Sequence, residues 1–151
     1  MALSLLSKTK VRPKSDYFQQ ILMAQVYDLA VETDLSRLKK VSEKLGNQVW
    51  LKREDMQPVN SFKLRGAHNK IKQLNKVQRA AGVITASAGN HAQGVALSGA
   101  SLGVKATIVM PVTTPEIKVT AVRAHGGDVI LQGESFDDAN DFAKQLAEDK
   151  G

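Results

Sequence analysis

The chain has 151 residues, 42% of them hydrophobic, and a net charge of +6 from 21 basic and 15 acidic side chains. That length and apolar content suit one folded domain with a core and exclude a disordered chain or two ordinary domains. Without cysteine there are no disulfides, thiolate metal sites or cysteine nucleophiles, which fits a reducing, cytoplasmic setting, and no apolar run is long enough to span a membrane.

The opening MALSLLSKTKVRPK has its basic residues on the wrong side of a weak apolar run for a secretory signal, and residues 1–15 read as a mobile arm. Ile21, Ala24 and Leu29 predict a helix over residues 16–32. DLSRLKKVSEKLG predicts a second helix over 34–46, stopped at Gly46. From there strand and helix patterns alternate. QVWLKRE (48–54) reads as a strand, followed by a helix that begins near Ser61 as N-cap and carries Leu64, His68, Ile71 and Leu74. GVITAS (82–87) is a strand followed by the helix NHAQGVALSGASLG (90–103). KATIVM (105–110) precedes the helix PEIKVTAVRAHGG (115–127), which has Pro115 at its start and glycines at its end. DVILQ (128–132) precedes SFDDANDFAKQLAEDKG (135–151).

Four strands alternating with four helices predict an α/β fold, a parallel sheet with helices on both faces. The basic residues fall on solvated helix faces (Lys39, Lys40, Lys70, Lys72). With two tyrosines and one tryptophan there is no aromatic–basic stripe, so nucleic acid is not expected as a partner. Ligands of such sheets collect outside the carboxyl ends of the strands. The loops there are REDMQPVNSF, SAGNH, MPVTTP and QGESF.

Two of these loops carry chemistry. Lys63 follows Ser61 into the first turn of a helix, where the macrodipole disfavours an ammonium. The same field favours a neutral amine, a nucleophile toward carbonyls. A surface lysine extending into solvent is the plainer reading of the same position. In SAGNH, Gly89 permits close backbone approach, and the first-turn N–H groups of the next helix suit a carboxylate or phosphate. Asn90 adds an amide that donates and accepts. An ordinary strand–helix turn is the alternative. The loop is neither a dinucleotide fingerprint nor a P-loop. SRLK (36–39) lacks the companion motifs of penicillin-recognising enzymes. His68, His91 and His125 lack metal-ligand spacing, and Asp137, Asp138 and Asp141 suit a helix start, so no metal site is expected.

Taken together, LKREDMQPVNSFKLRGA (51–67) and GVITASAGNHAQGVA (82–96) resemble the fold type II pyridoxal-phosphate enzymes, and among them the biosynthetic threonine dehydratases. LGVKATIVMP and TPEIKVTAVRAHGGDVIL extend the likeness over nearly the whole chain. The resemblance implies pyridoxal 5'-phosphate as cofactor. Lys63 would hold it as a Schiff base and later move protons, Asn90 would bond the ring's phenolic oxygen, and Phe62 would pack near the ring. Ser87, Gly89, Asn90 and His91 would clasp the substrate carboxylate. The implied reaction is β-elimination of water from L-threonine, giving 2-oxobutanoate and ammonia in isoleucine biosynthesis. L-Serine is a further candidate substrate, and the complete enzyme is expected to be a homo-oligomer. Ala88 stands where similar racemases carry a serine that supplies the second proton, so racemisation is not expected.

The chain departs from the family pattern at Thr33-Asp34-Leu35, where Thr-Pro-Leu is usual, and at His68, where tyrosine is common. The first departure is expected to loosen an N-terminal turn. The resemblance further implies that residues 16–46 open a large subdomain and that residues 47–151 form a four-unit βα small subdomain. The phosphate-binding glycine-rich loop, the group facing the pyridine nitrogen and the regulatory domain would lie beyond residue 151. On that reading these residues are an N-terminal fragment with little activity alone. A serine dehydratase, serine racemase or threonine synthase of the same fold, and a non-catalytic remnant, remain competing readings.

Overall fold

The computed structural model describes residues 17–150; the arm expected over 1–15 lies outside them. Where one helix is expected over 16–32, there is a short helix α1 (Tyr17–Met23) and a single 3-10 turn (Val26–Asp28). Beyond the 3-10 turn the chain does not return to helix, and Val31 has a distant partner. Its N–H donates to Gln57 Oε1 at 2.9 Å and its carbonyl accepts from Gln57 Nε2 at 2.8 Å. A side-chain amide thus takes both backbone groups that a helix would have used.

The helix expected over 34–46 is also divided. Its second half is α2 (Lys39–Leu45), ended by Gly46 in the left-handed region at φ 58°. Its first half is strand β1 (Leu35–Arg37), antiparallel to β2 (Trp50–Lys52), with Leu35 opposite Lys52 and Arg37 opposite Trp50. Buried Ser42 fastens α2 inside this ribbon, donating to Leu38 O at 2.7 Å and accepting from Val49 N–H at 3.0 Å. The pairing of β2 with β1 corrects the expectation of four βα units over 47–151. The parallel sheet has three strands, and β2 belongs to a separate two-stranded ribbon.

The three-stranded sheet runs β3 (Val83–Ala86), β4 (Ala106–Met110), β5 (Asp128–Leu131), all parallel, with β4 central. Alternation along β4 sends Ala106, Ile108 and Met110 to one face. There they meet Ala92, Val95 and Ala96 of α5 (Asn90–Leu102) and Val119 and Val122 of α6 (Glu116–Ala124). Val109 points to the other face, against Ala139 and Ala143 of α7 (Phe136–Lys150). Helices therefore cover both faces, as the strand–helix rhythm predicts.

Between the ribbon and the sheet lie α3 (Lys63–Lys72) and α4 (Lys76–Ala81). α4 is not among the helices expected from the sequence, although Asn75 and Gln78 form a reciprocal capping box at its start. Gly82 then turns the chain into β3 at φ 92°, where a Cβ would meet Lys105 O at 2.8 Å, so glycine is required. Ile108 is wholly buried in the larger core. Ile108→Ala should lower stability by about 2–5 kcal/mol. Urea unfolding checks this as a lower midpoint with an unchanged slope.

Candidate active site

The approach to Lys63 is built by hydrogen bonds before the helix begins. Asn60, at φ 51°, donates its N–H to Gln57 O at 2.7 Å and reverses the chain. Asparagine tolerates that left-handed conformation better than most residues. Ser61, expected as the N-cap, lies one place earlier. Phe62 is the N-cap, and Ser61 Oγ accepts from Lys63 N–H at 3.2 Å. Lys63 is therefore the first residue of α3. Its Nζ lies 5.0 Å from the centroid of the Phe62 ring, which is itself exposed.

Two residues further on, Arg65 locks the start of α3. Its Nε and one terminal nitrogen donate to the two Glu54 carboxylate oxygens at 2.8 and 2.9 Å. Thr33 Oγ1 donates to the same carboxylate at 2.6 Å, and Arg65 also reaches Val31 O at 3.1 Å. The Arg65 guanidinium holds the Glu54 carboxyl down at about 2, with the hydroxyl of Thr33 and the amide of Gln57 assisting against the opposing effect of burial. The segment expected to be loosened by Asp34 is instead tied on both sides. Thr33 is buried, its carbonyl accepts from Lys52 Nζ, and Asp34 O accepts from Arg53 N–H at 2.9 Å.

The second wall is the turn from β3 into α5. Ser87 N–H donates to Val109 O at 3.1 Å, and Ser87 Oγ accepts from Gly89 N–H at 3.4 Å. A Cβ at Gly89 would meet nothing within 4 Å, which leaves the turn open to a ligand. No side chain caps α5, and its first turn carries no acidic residue. The other two helix starts at this edge differ. α6 has Glu116 in its first turn, and α7 has Asp137 and Asp138. Asp138 also accepts from the N–H groups of Glu134 and Ser135 at 3.1 and 3.0 Å, which holds its carboxyl below the usual range. The QGESF loop thus spends its donors on the protein, whereas the SAGNH turn keeps its positive end unneutralised.

These two walls meet. A Cβ at Gly94, one turn into α5, would lie 3.3 Å from Leu64 N and from the carbonyl carbon and oxygen of Lys63. Partial burial and then the neighbouring Lys63 charge hold the His91 imidazole below its ordinary value. Beside His91 an apolar cavity of about 300 Å³ opens between α3 and β3, with Ala67, Ile71, Thr85 and Val95 in its walls. Lys63, Phe62, Ser87, Gly89, Asn90 and His91 thus come from two adjoining turns, whereas MPVTTP and QGESF are tied to each other through Val112 N–H to Gly133 O at 2.8 Å. Of the other histidines, His68 is wholly buried with both ring nitrogens unpartnered, a packing residue on α3. Among the described residues no group of three His, Asp or Glu is placed to hold a metal.

A primary amine, a side-chain amide, an exposed aromatic ring and an uncapped helix start form a donor set that fits a pyridoxal aldehyde and its ring oxygen together with a carboxylate. The family model described as pyridoxal-phosphate dependent enzyme matches residues 26–151. The chain belongs to this family. Within it the chain is 58% identical over 139 residues to the biosynthetic L-threonine dehydratase of Burkholderia multivorans, covering 90% of this chain and 27% of that protein. To the biosynthetic L-threonine dehydratase of Escherichia coli it is 53% identical over 137 residues, covering 91% and 27%. The processed threonine deaminase isoform 2 of Solanum lycopersicum superposes with a TM-score of 0.87 at 54% identity, over 89% of this chain and 39% of that one. The chain thus spans about a quarter of the length of the curated relatives it matches.

What the motif quotations do not disclose is the packing between them. Glu54 and Arg65 both stand inside the family motif, but nothing in the sequence pairs them. Gly94 sits unremarked in an apolar helix. The pair has a measurable signature. The Glu54 carboxyl lies lower in the folded state than its ordinary 4.5, so its contribution is complete above that pH and is lost as pH falls toward about 2. Arg65→Met should cost about 3 kcal/mol at neutral pH and remove most of that acid dependence, leaving the part owed to Thr33 and Gln57. Urea unfolding at a series of pH values measures both effects.

Proposed function

We propose that the enzyme built from this chain dehydrates and deaminates L-threonine to 2-oxobutanoate and ammonia, the first step of isoleucine biosynthesis, using pyridoxal phosphate. The observation that carries this reading is the contact of the Lys63 backbone with α5 at Gly94, one turn in from that helix's uncapped start, in a chain 53–58% identical to biosynthetic threonine dehydratases. In this reading Lys63 holds the cofactor through its amine, the Asn90 amide bonds the ring's phenolic oxygen, and Phe62 lies near the ring. Bound there, the cofactor supplies the sink for the electron pair left at Cα. The N–H groups at the start of α5, with Ser87, Gly89, Asn90 and His91, receive the substrate carboxylate. The His91 ring, kept neutral, adds a hydrogen bond without a competing charge. The Lys63 amine, freed when substrate arrives, takes the Cα proton. The β-hydroxyl then leaves as water, taking up a proton as it goes, and hydrolysis of the released enamine gives 2-oxobutanoate and ammonia; L-serine undergoes the same elimination with one methyl fewer.

The same reading takes the complete enzyme to be a cytoplasmic homo-oligomer. The absence of cysteine supports the first part. The exposed apolar side chains Tyr17, Phe18, Ile21, Leu22 and Met23 of α1 support the second. Among the described residues no helix is long and apolar enough to cross a membrane.

Borohydride reduction of the complete enzyme should fix the cofactor on the peptide that contains Lys63, and Lys63→Ala should lower turnover by about 10²–10⁴-fold or more. A label centred on any other lysine refutes the assignment. A serine racemase is the sibling to separate, because the solved serine racemase of maize superposes with a TM-score of 0.82 at 32% identity. Ala88 has no proton to give from the opposite side of the site. Incubation with L-serine should therefore yield pyruvate and no D-serine in a chiral amino-acid assay, and appreciable D-serine would overturn this point.

A further inference from the structure

Gly94 is buried in the second turn of α5, where alanine would make the better helix. The atoms a Cβ would crowd, Leu64 N and the carbonyl carbon and oxygen of Lys63, all belong to the backbone that opens α3. No side-chain rotation relieves such a contact; the start of α3 itself must move by a few tenths of an ångström. The other close approaches of α5 lie elsewhere. At Gly99 a Cβ would meet Val104 O at 2.7 Å and the Ala106 side chain at 2.9 Å, and neither belongs to the site.

We propose that Gly94 is a positioning residue. Its missing side chain sets the separation between the backbone of Lys63 and the second turn of α5, and so the distance between the amine that this backbone carries and the turn that receives the anion. The proposal rests on the roles given to Lys63 and the α5 turn above. It differs from a packing role because α3 and α5 could pack well at a slightly larger distance, while a reacting amine tolerates little displacement.

Gly94→Ala in the complete enzyme is the test. The apparent dissociation constant for pyridoxal phosphate, read from a visible-absorbance titration, should rise about fivefold or more, and kcat should fall by a similar factor. The thermal midpoint should hold or rise, since alanine favours the helix. A second readout needs no cofactor. The His91 ring titration, followed by NMR, should move up toward the ordinary histidine value as the Lys63 charge recedes, and should not move when Gly94→Ala is made in a Lys63→Met background. An unchanged His91 midpoint or an unchanged cofactor affinity in folded Gly94→Ala overturns the proposal. A Gly94→Ala protein that fails to fold also overturns it, because the glycine then serves packing at large. If the unsubstituted enzyme binds no pyridoxal phosphate, the functional reading fails, and the His91 comparison alone decides the role of Gly94.

Discussion

The backbone of Lys63 lies against α5 at Gly94, so close that there is no room for a methyl group between the two helices without displacement. That contact ties the backbone that carries the Lys63 amine to the helix whose start is uncapped. α5 can serve this way because small residues line it on several sides. Ala96 meets Gly127 beyond α6, Gly99 meets the approach to β4, and Ala92 and Val95 face the core of the sheet. A larger side chain at any of these points would move the helix relative to one neighbour and disturb its register with the rest. The three-stranded sheet is thus a rigid base, and α5 carries its position to the site.

The start of α3 is held from the other side by charge. The Glu54 carboxylate accepts from Arg65, Thr33 and Gln57, and so joins the loop before α3, the helix itself and the segment after the 3-10 turn. The side chains of Glu54 and Arg65 are 16% and 23% exposed, dry enough for the two-point geometry to matter and wet enough to keep the desolvation cost moderate. Arg65 also stacks near the Tyr27 ring, at 5.2 Å, which brings the N-terminal 3-10 turn into the same cluster. The backbone of Lys63, two residues before Arg65, is thus held by this clamp and by the Gly94 contact.

Electrostatics then separates the helix starts at the sheet edge. Acidic residues neutralise two of them, and Asp138 occupies the N–H groups of its own loop. At α5 the positive end is left open beside Lys63, so an anion arriving at this edge finds its field concentrated at one turn. The imidazole of His91, held below its ordinary value by partial burial and the Lys63 charge, adds no second fixed cation next to the amine.

Most of this was legible in the sequence as parts. The βα rhythm gave the parallel sheet and its two covered faces, because alternation along β4 and helical periodicity in α5 to α7 are local patterns. The motifs around Lys63 and Asn90 named the candidate residues of the two loops, because an amine in a first turn and a glycine at a strand end are local features. The larger errors lie in the N-terminal third. Residues 26–37 have helical periodicity, but Val31 pairs with Gln57 and Leu35–Arg37 with Trp50–Lys52, partners 13 or more positions away that no local pattern announces. What the sequence by itself determined is the sheet, its covering helices and the chemical vocabulary of the two loops. Only the tertiary structure decided that β2 leaves the sheet for its own ribbon, that Glu54 clamps Arg65, and that Gly94 brings Lys63 against α5. Those outcomes depend on distances between segments far apart in the chain, and a distance is set by packing rather than by the order of residues.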